Sequence, residues 1–126
     1  MLGGHLVKSW CKDQSVVALS TGEAELHSAN YGAAQAMGIQ SMCADLGVKI
    51  GIDMFIDAKA TMGIVNRRGL GKVRHISVQS LWLQDAARKD KLKLMKVDSD
   101  SNVADMMTKA LAGPDIERFM SIMGML

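Results

Sequence analysis

Along residues 5–20 the apolar positions Leu6, Val7, Trp10, Val16, Val17, Ala18 and Leu19 surround a polar interruption, Lys12-Asp13-Gln14. That pattern predicts extended chain, either two strands about a kink or one bulged strand. The period then changes. Ser20-Thr21-Gly22-Glu23 has the capping-box spacing, with Ser20 as N-cap and the acid three positions on, and predicts a helix running to about Leu46 and closed by Gly47. Leu26, Ala29, Ala33, Ala36, Met37, Met42, Cys43 and Leu46 fall largely on one stripe of that helix, and its many small residues suit close packing on a sheet. Residues 52–57 are apolar, β-prone and end in an acid, so they read as a strand, followed by a helix over residues 58–67. A glycine-rich basic loop over residues 67–74 leads to a second amphipathic helix marked by Ile76, Val78, Leu81, Trp82 and Ala86, ending near Lys89. Charged and apolar residues alternate over residues 91–97, as in a half-exposed strand; residues 98–102 make a turn, residues 103–111 resume as helix, and a last helix starts at Pro114.

The predicted order is β, α, β, α, α, β, α, α, which argues for an α/β fold with a sheet flanked by helices. A helix between the strand ending at Asp57 and the strand at Lys91 permits parallel pairing of the two. In such sheets the active crevice lies beyond the carboxyl ends of the strands, and Asp57 occupies such an end.

A chain of 126 residues is the size of one domain, and two cores would each be too small to hold. Apolar residues at 48%, charged residues at 22% and a single proline exclude disordered and collagen-like classes. The longest uncharged stretch, residues 26–44, is broken by His27, Asn30, Gln35 and Gln40, so no membrane span is expected. The start, Met1 to His5, has neither a basic region nor an apolar run, which predicts an intracellular protein, cytoplasmic or nuclear. Cys11 and Cys43 have no CxxC or Cys/His neighbours and signal neither zinc nor a disulfide framework. Charge is uneven: residues 1–63 carry net −2 and residues 64–126 net +4, an asymmetry that can steer a polyanion toward one face.

Three acids stand at element junctions: Glu25 in the first turns of the long helix, Asp57 at a strand end and Asp105 in the first turn after the last strand. Carboxylates converging at one sheet edge repel one another unless hard cations lie among them, as in a magnesium site for phosphodiester hydrolysis. The helix macrodipole also favours acids in first turns, and Asp57 could equally be a helix N-cap. Glu23 and Glu25 point to nearly opposite sides of the helix, so the capping role falls to Glu23 and the functional one to Glu25. Arg67, Arg68, Lys72 and Arg74, with His75, could grip phosphates from their loop, or form an ordinary solvated charge run. Gly69-Leu70-Gly71-Lys72 lacks the spacing and the hydroxyl residue of a phosphate-binding Walker loop. Neither His5 nor His27 joins a nucleophile in a recognisable triad.

Ser9-Trp10, then the string from Gln14 through Val16-Val17-Ala18-Leu19-Ser20-Thr21 to Glu23-Ala24-Glu25, then Phe55-Ile56-Asp57, Arg74-His75-Ile76, Ala104-Asp105 and Thr108-Lys109 closely resemble the ribonuclease H domain of copia-type retrotransposon Pol polyproteins. The resemblance covers nearly the whole chain from about Val7. It implies a ribonuclease H-like mixed five-stranded sheet flanked by helices. It also implies four carboxylates holding two Mg2+ ions that activate water to cut the RNA strand of an RNA–DNA hybrid, with the reverse transcriptase portion of the same polyprotein as a partner. By resemblance Glu25, Asp57 and Asp105 fill the second, third and fourth carboxylate positions, and Lys109 joins the nucleic-acid contacts. The first aspartate belongs to a strand that precedes everything seen here, so the expectation is a single partial domain over residues 1–126, lacking the first strand and most of the second. Reduced Mg2+ occupancy and impaired catalysis follow from that expectation. So does an exposed strand edge open to self-association. Ser77 stands where the family commonly has an acid, and residues 98–102 carry no histidine of the kind that assists turnover. The alternative reading is a non-catalytic nucleic-acid-binding or self-associating remnant.

Overall fold

The computed structural model describes residues 1–11, 20–66 and 78–126. Among these, residues 20–66 and 78–97 make one compact unit, and residues 1–11 with 98–126 make another. The architecture is mixed α/β.

The larger unit opens with α1 (Thr21–Asp45). Ser20 stands at the N-cap, its hydroxyl accepting from the Glu23 amide at 3.2 Å, as the capping-box spacing predicts. Leu26, Ala29 and Ala33 are buried on one face. Gly32 lies over the sheet so closely that a Cβ there would sit 3.5 Å from the Met54 methyl. The expected apolar stripe is buried only over its first half, for Met42 and Leu46 are exposed. Length explains the difference. At 1.5 Å per residue α1 reaches about 37 Å, whereas the four-residue strands beneath it span about 13 Å, so its C-terminal half outruns the sheet. The helix ends in a Schellman motif: Val48 donates to the Cys43 carbonyl at 2.8 Å and Gly47 to Ala44 at 2.9 Å, with Gly47 at φ +80°.

β1 (Asp53–Ile56) and β2 (Lys93–Lys96) pair in parallel, with Asp53 opposite Lys93 and Phe55 opposite Met95. Between them run α2 (Lys59–Asn66) and α3 (Val78–Arg88), so the pairing permitted by the element order is the one observed. Among the described residues the sheet has two strands, against the five that the resemblance implies. Ile56 is buried and Met54 and Leu94 pack on the core, which also holds Ile64, Val65, Leu83, Ala86 and Leu92. Fully buried Gln84 of α3 donates to the Ile64 carbonyl at 2.8 Å. That carbonyl belongs to the last turn of α2, where carbonyls commonly need partners from outside the helix, and a side chain from α3 supplies one. α3 also closes with a Schellman motif, Lys91 to Ala86 at 3.0 Å and Asp90 to Ala87 at 3.2 Å. Here the left-handed position, φ +52°, is taken by Asp90 rather than glycine.

In the smaller unit α4 (Gly113–Ile122) carries proline in its first turn and buries Phe119, with Met123 buried just beyond its end. Leu6 donates to the Met123 carbonyl at 2.9 Å, and Gly124 closes the helix at φ +68°. The extended segment expected over residues 5–20 is not a strand in its described part: residues 1–11 form only a Leu2–His5 bridge, and residues 12–19 lie outside the described residues. The helix expected over residues 103–111 is instead a 3-10 helix, Val103–Met107, preceded by another at Ser99–Ser101. The Asn102 side chain accepts from the Ala104 amide at 3.3 Å, and Gly113-Pro114 follows closely, so little chain remains over which a costly α nucleus could propagate.

Candidate functional site

The nominated acids fall in both units. Glu25 lies in the second turn of α1, partly exposed, and Asp57 follows the carboxyl end of β1, also partly exposed. The first helical bond of α2 runs from the Met62 amide to the Ala58 carbonyl at 3.2 Å, which makes Ala58 the residue flanking the helix and leaves Asp57 one position outside it. Of the two N-terminal glutamates, Glu23 is the buried one, with Oε1 3.9 Å from His27 Nε2.

Asp105 sits in the 3-10 helix of the smaller unit, 8% exposed. Its Oδ2 accepts from Lys109 Nζ at 2.7 Å, its Oδ1 from Asn102 Nδ2 at 3.5 Å, and its carbonyl from the Lys109 amide at 2.8 Å. Lys109, nominated as a nucleic-acid contact, thus has its ammonium on the carboxylate four residues before it. Arg67, Arg68, Lys72, Arg74 and His75, the other nominated contacts, lie outside the described residues.

Carboxylate oxygens are the right donors for a hard cation such as Mg2+. Yet among the described residues of either unit no group of three or more His, Cys, Asp or Glu side chains is gathered to hold a metal ion, and the Asp105 carboxylate is already ion-paired. The described residues therefore do not make up a two-metal site by themselves, and no chemical step is assigned through one.

Sequence reasoning missed two features of the larger unit. An open cleft lies at the amino ends of β1 and β2, the opposite end from Asp57, lined by Met37, Ile50, Ile52 and Leu92 with Gln40 and Lys93. Gln40 Nε2 donates to the Ile50 carbonyl at 2.7 Å on its border. The second feature is a pair of buried polar side chains, Asn30 on α1 and Thr61 on α2, whose amide atoms and hydroxyl have no hydrogen-bond partner among the described residues. Asn30 was visible as a polar break in an apolar stretch; the burial of Thr61 had no sequence signal. Among the described residues no helix is long and apolar enough to cross a membrane.

No family model matches the chain, and no solved structure matches it. Among curated proteins it is similar to the Retrovirus-related Pol polyprotein from transposon TNT 1-94 of Nicotiana tabacum, 28% identical over 120 residues. The matched stretch covers 93% of this chain and 9% of the length of that polyprotein. Common origin with a stretch of a transposon Pol polyprotein is what this similarity supports.

Proposed function

We propose that the chain is a ribonuclease H-like segment of a copia-type retrotransposon Pol polyprotein, whose ancestral reaction is hydrolysis of the RNA strand of an RNA–DNA hybrid. In that reaction water attacks the scissile phosphorus, the bond to the ribose 3′ oxygen breaks, and the leaving oxygen takes up a proton. The supporting observation is the 120-residue similarity to the tobacco transposon polyprotein, read together with Asp57 at the carboxyl end of a parallel strand. Asp57 is the residue on which the reading rests most heavily. Bound Mg2+ would supply charge neutralisation and an activated water. Among the described residues no three acids gather into a ligand group, so slow rather than rapid cleavage is the expectation.

The test is release of a labelled RNA strand from an RNA–DNA hybrid in Mg2+, comparing the chain with Asp57→Asn and Glu23→Gln. Slow cleavage abolished by Asp57→Asn and retained by Glu23→Gln is the expected result, with the Glu23 change costing about 1–2 kcal/mol of stability. Equal residual rates in the chain and in Asp57→Asn would refute the assignment. Salt-sensitive hybrid binding without cleavage would replace it with a non-catalytic binding module.

A further inference from the structure

In the smaller unit an accessible cation is engaged by a mostly buried acid. Lys109 and Asp105 stand four residues apart across a single α-type turn at the end of the 3-10 helix, with the Lys109 amide 2.8 Å from the Asp105 carbonyl. Their side chains therefore meet, Nζ lying 2.7 Å from Oδ2. The two partners differ in exposure, for the lysine side chain is 55% accessible and the aspartate side chain 12%. The Asp105 backbone is fixed as well, its amide donating to the Asn102 carbonyl at 3.0 Å and its carbonyl accepting from the Thr108 amide at 3.0 Å.

An accessible lysine is ordinarily a ready contact for a phosphate. Here the competing anion is held in place by the fold. Asp105 lies on the same turn, so it pairs with Lys109 at a high effective concentration, while a phosphate must be recruited from solution. Withdrawing the ammonium would leave a mostly buried carboxylate whose remaining side-chain contact among the described residues is the long 3.5 Å one from Asn102 Nδ2. A buried charge stripped of its partner is strongly unfavourable. A phosphate drawn to Lys109 would also approach the Asp105 charge and be repelled by it.

We infer that Asp105 withholds Lys109 from nucleic-acid phosphates: the pair is an autoinhibitory contact, and neutralising Asp105 turns Lys109 into a phosphate contact. Lys109 then adds nothing to hybrid binding by the parent chain, contrary to the role that the resemblance implies for it. The inference rests on the reading of this chain as a segment that meets an RNA–DNA hybrid, and it concerns binding rather than cleavage.

The test is fluorescence anisotropy of a short labelled RNA–DNA hybrid against salt concentration, with a chelator present so that no divalent cation competes for Asp105. Each phosphate contact adds about 0.9 to the steepness of log affinity against log salt. The expected result is an Asp105→Asn slope steeper than the parent's by about that amount, with tighter binding at low salt. Lys109→Met keeps the parent's slope, and the double variant returns to it. A gain that survives in the double variant would come from lost repulsion alone and would overturn the inference, as would a shallower slope in folded Lys109→Met. The parent chain gives a second measurement that needs no variant to fold: its Lys109 side-chain NMR signals are expected to stay in place as hybrid is added, and a shift that follows the binding curve would overturn the inference. Equal binding by the parent and folded Asp105→Asn refutes this inference alone, whereas no binding by either refutes the nucleic-acid reading with it.

Discussion

Thr61→Val isolates the cost of one buried hydroxyl. Thr61 is 0% exposed in α2, which packs against α1 and α3, and its Oγ1 has no hydrogen-bond partner among the described residues. In the unfolded chain that hydroxyl is hydrated; folding strips the water and returns nothing, a loss of about 1–3 kcal/mol. Valine has nearly the same shape, so its second methyl occupies the space of the hydroxyl without opening a cavity. Threonine and valine have similar helix propensities, so the backbone contribution nearly cancels. The expected gain is therefore about 1–3 kcal/mol, a large fraction of the 5–15 kcal/mol typical of a folded domain. Urea unfolding followed by circular dichroism measures it: the midpoint rises while the slope stays unchanged. Thr61→Ser, which keeps the hydroxyl and deletes the methyl, is expected to fall by roughly 1 kcal/mol. A lower midpoint for Thr61→Val would refute the reasoning, because it would mean that the hydroxyl holds a bond in solution.

Asp90→Gly is expected to raise stability by about 0.5–1 kcal/mol, since it removes a side chain from a left-handed position and a negative charge from a helix C-terminus; thermal denaturation beside Asp90→Asn separates the two effects. Gly124→Ala is expected to cost about 2–3 kcal/mol, because φ is +68° and the new Cβ would run into the Gly4 carbonyl, whereas Gly38→Ala, in open space within α1, gains about 0.5–1 kcal/mol; the difference between their melting temperatures checks the contrast. The hydrogen bond from Lys89, with Nζ 2.7 Å from Oδ2, holds the Asp85 carboxyl below its ordinary range against the opposing effect of desolvation, aided by the charges of Lys89, Arg88 and Lys91. Because the folded value is the lower one, the stabilisation is present above the unfolded value and disappears as pH falls through the folded one; carboxyl-carbon chemical shifts are expected to show Asp85 titrating higher in Lys89→Met.

Local rules made α1, β1, α2 and β2 legible. Ser20 and Gly47 mark the ends of α1 because capping and the left-handed turn depend on a few adjacent residues. The end of α3 was legible within a residue, but nothing in Lys89-Asp90-Lys91 announces that an aspartate would take the glycine position. The outer half of α1 misled because an apolar stripe says that a helix can bury a face, not how far the sheet beneath it extends. The segment after residue 102 kept part of its expected character: the Lys109 amide to Asp105 carbonyl bond is a single α-type turn, and it places the two side chains together as the i,i+4 spacing would. What failed was propagation, since Asn102 binds the backbone locally and Gly113-Pro114 restarts the chain.

The candidate acids divide along the same line. Asp57 was placed by strand polarity, a property of a few residues, and it lies beyond the carboxyl end of β1 as expected. Glu25 was placed by subtraction, Glu23 being assigned to the cap, and the burial of Glu23 with partial exposure of Glu25 agrees with sending the two to different surroundings. Asp105 was placed by the same helix-start logic, but its sequence position could not reveal that Lys109 would bind the carboxylate at 2.7 Å. A carboxylate held in that way must exchange its lysine for any cation that approaches. In Lys109→Met, Asp105 keeps its place in the 3-10 helix but loses the competing ammonium. If Asp105 is a metal ligand, that variant binds Mg2+ more tightly than the parent chain; if the pair serves only to fix the turn, the variant loses stability and its Mg2+ affinity does not change.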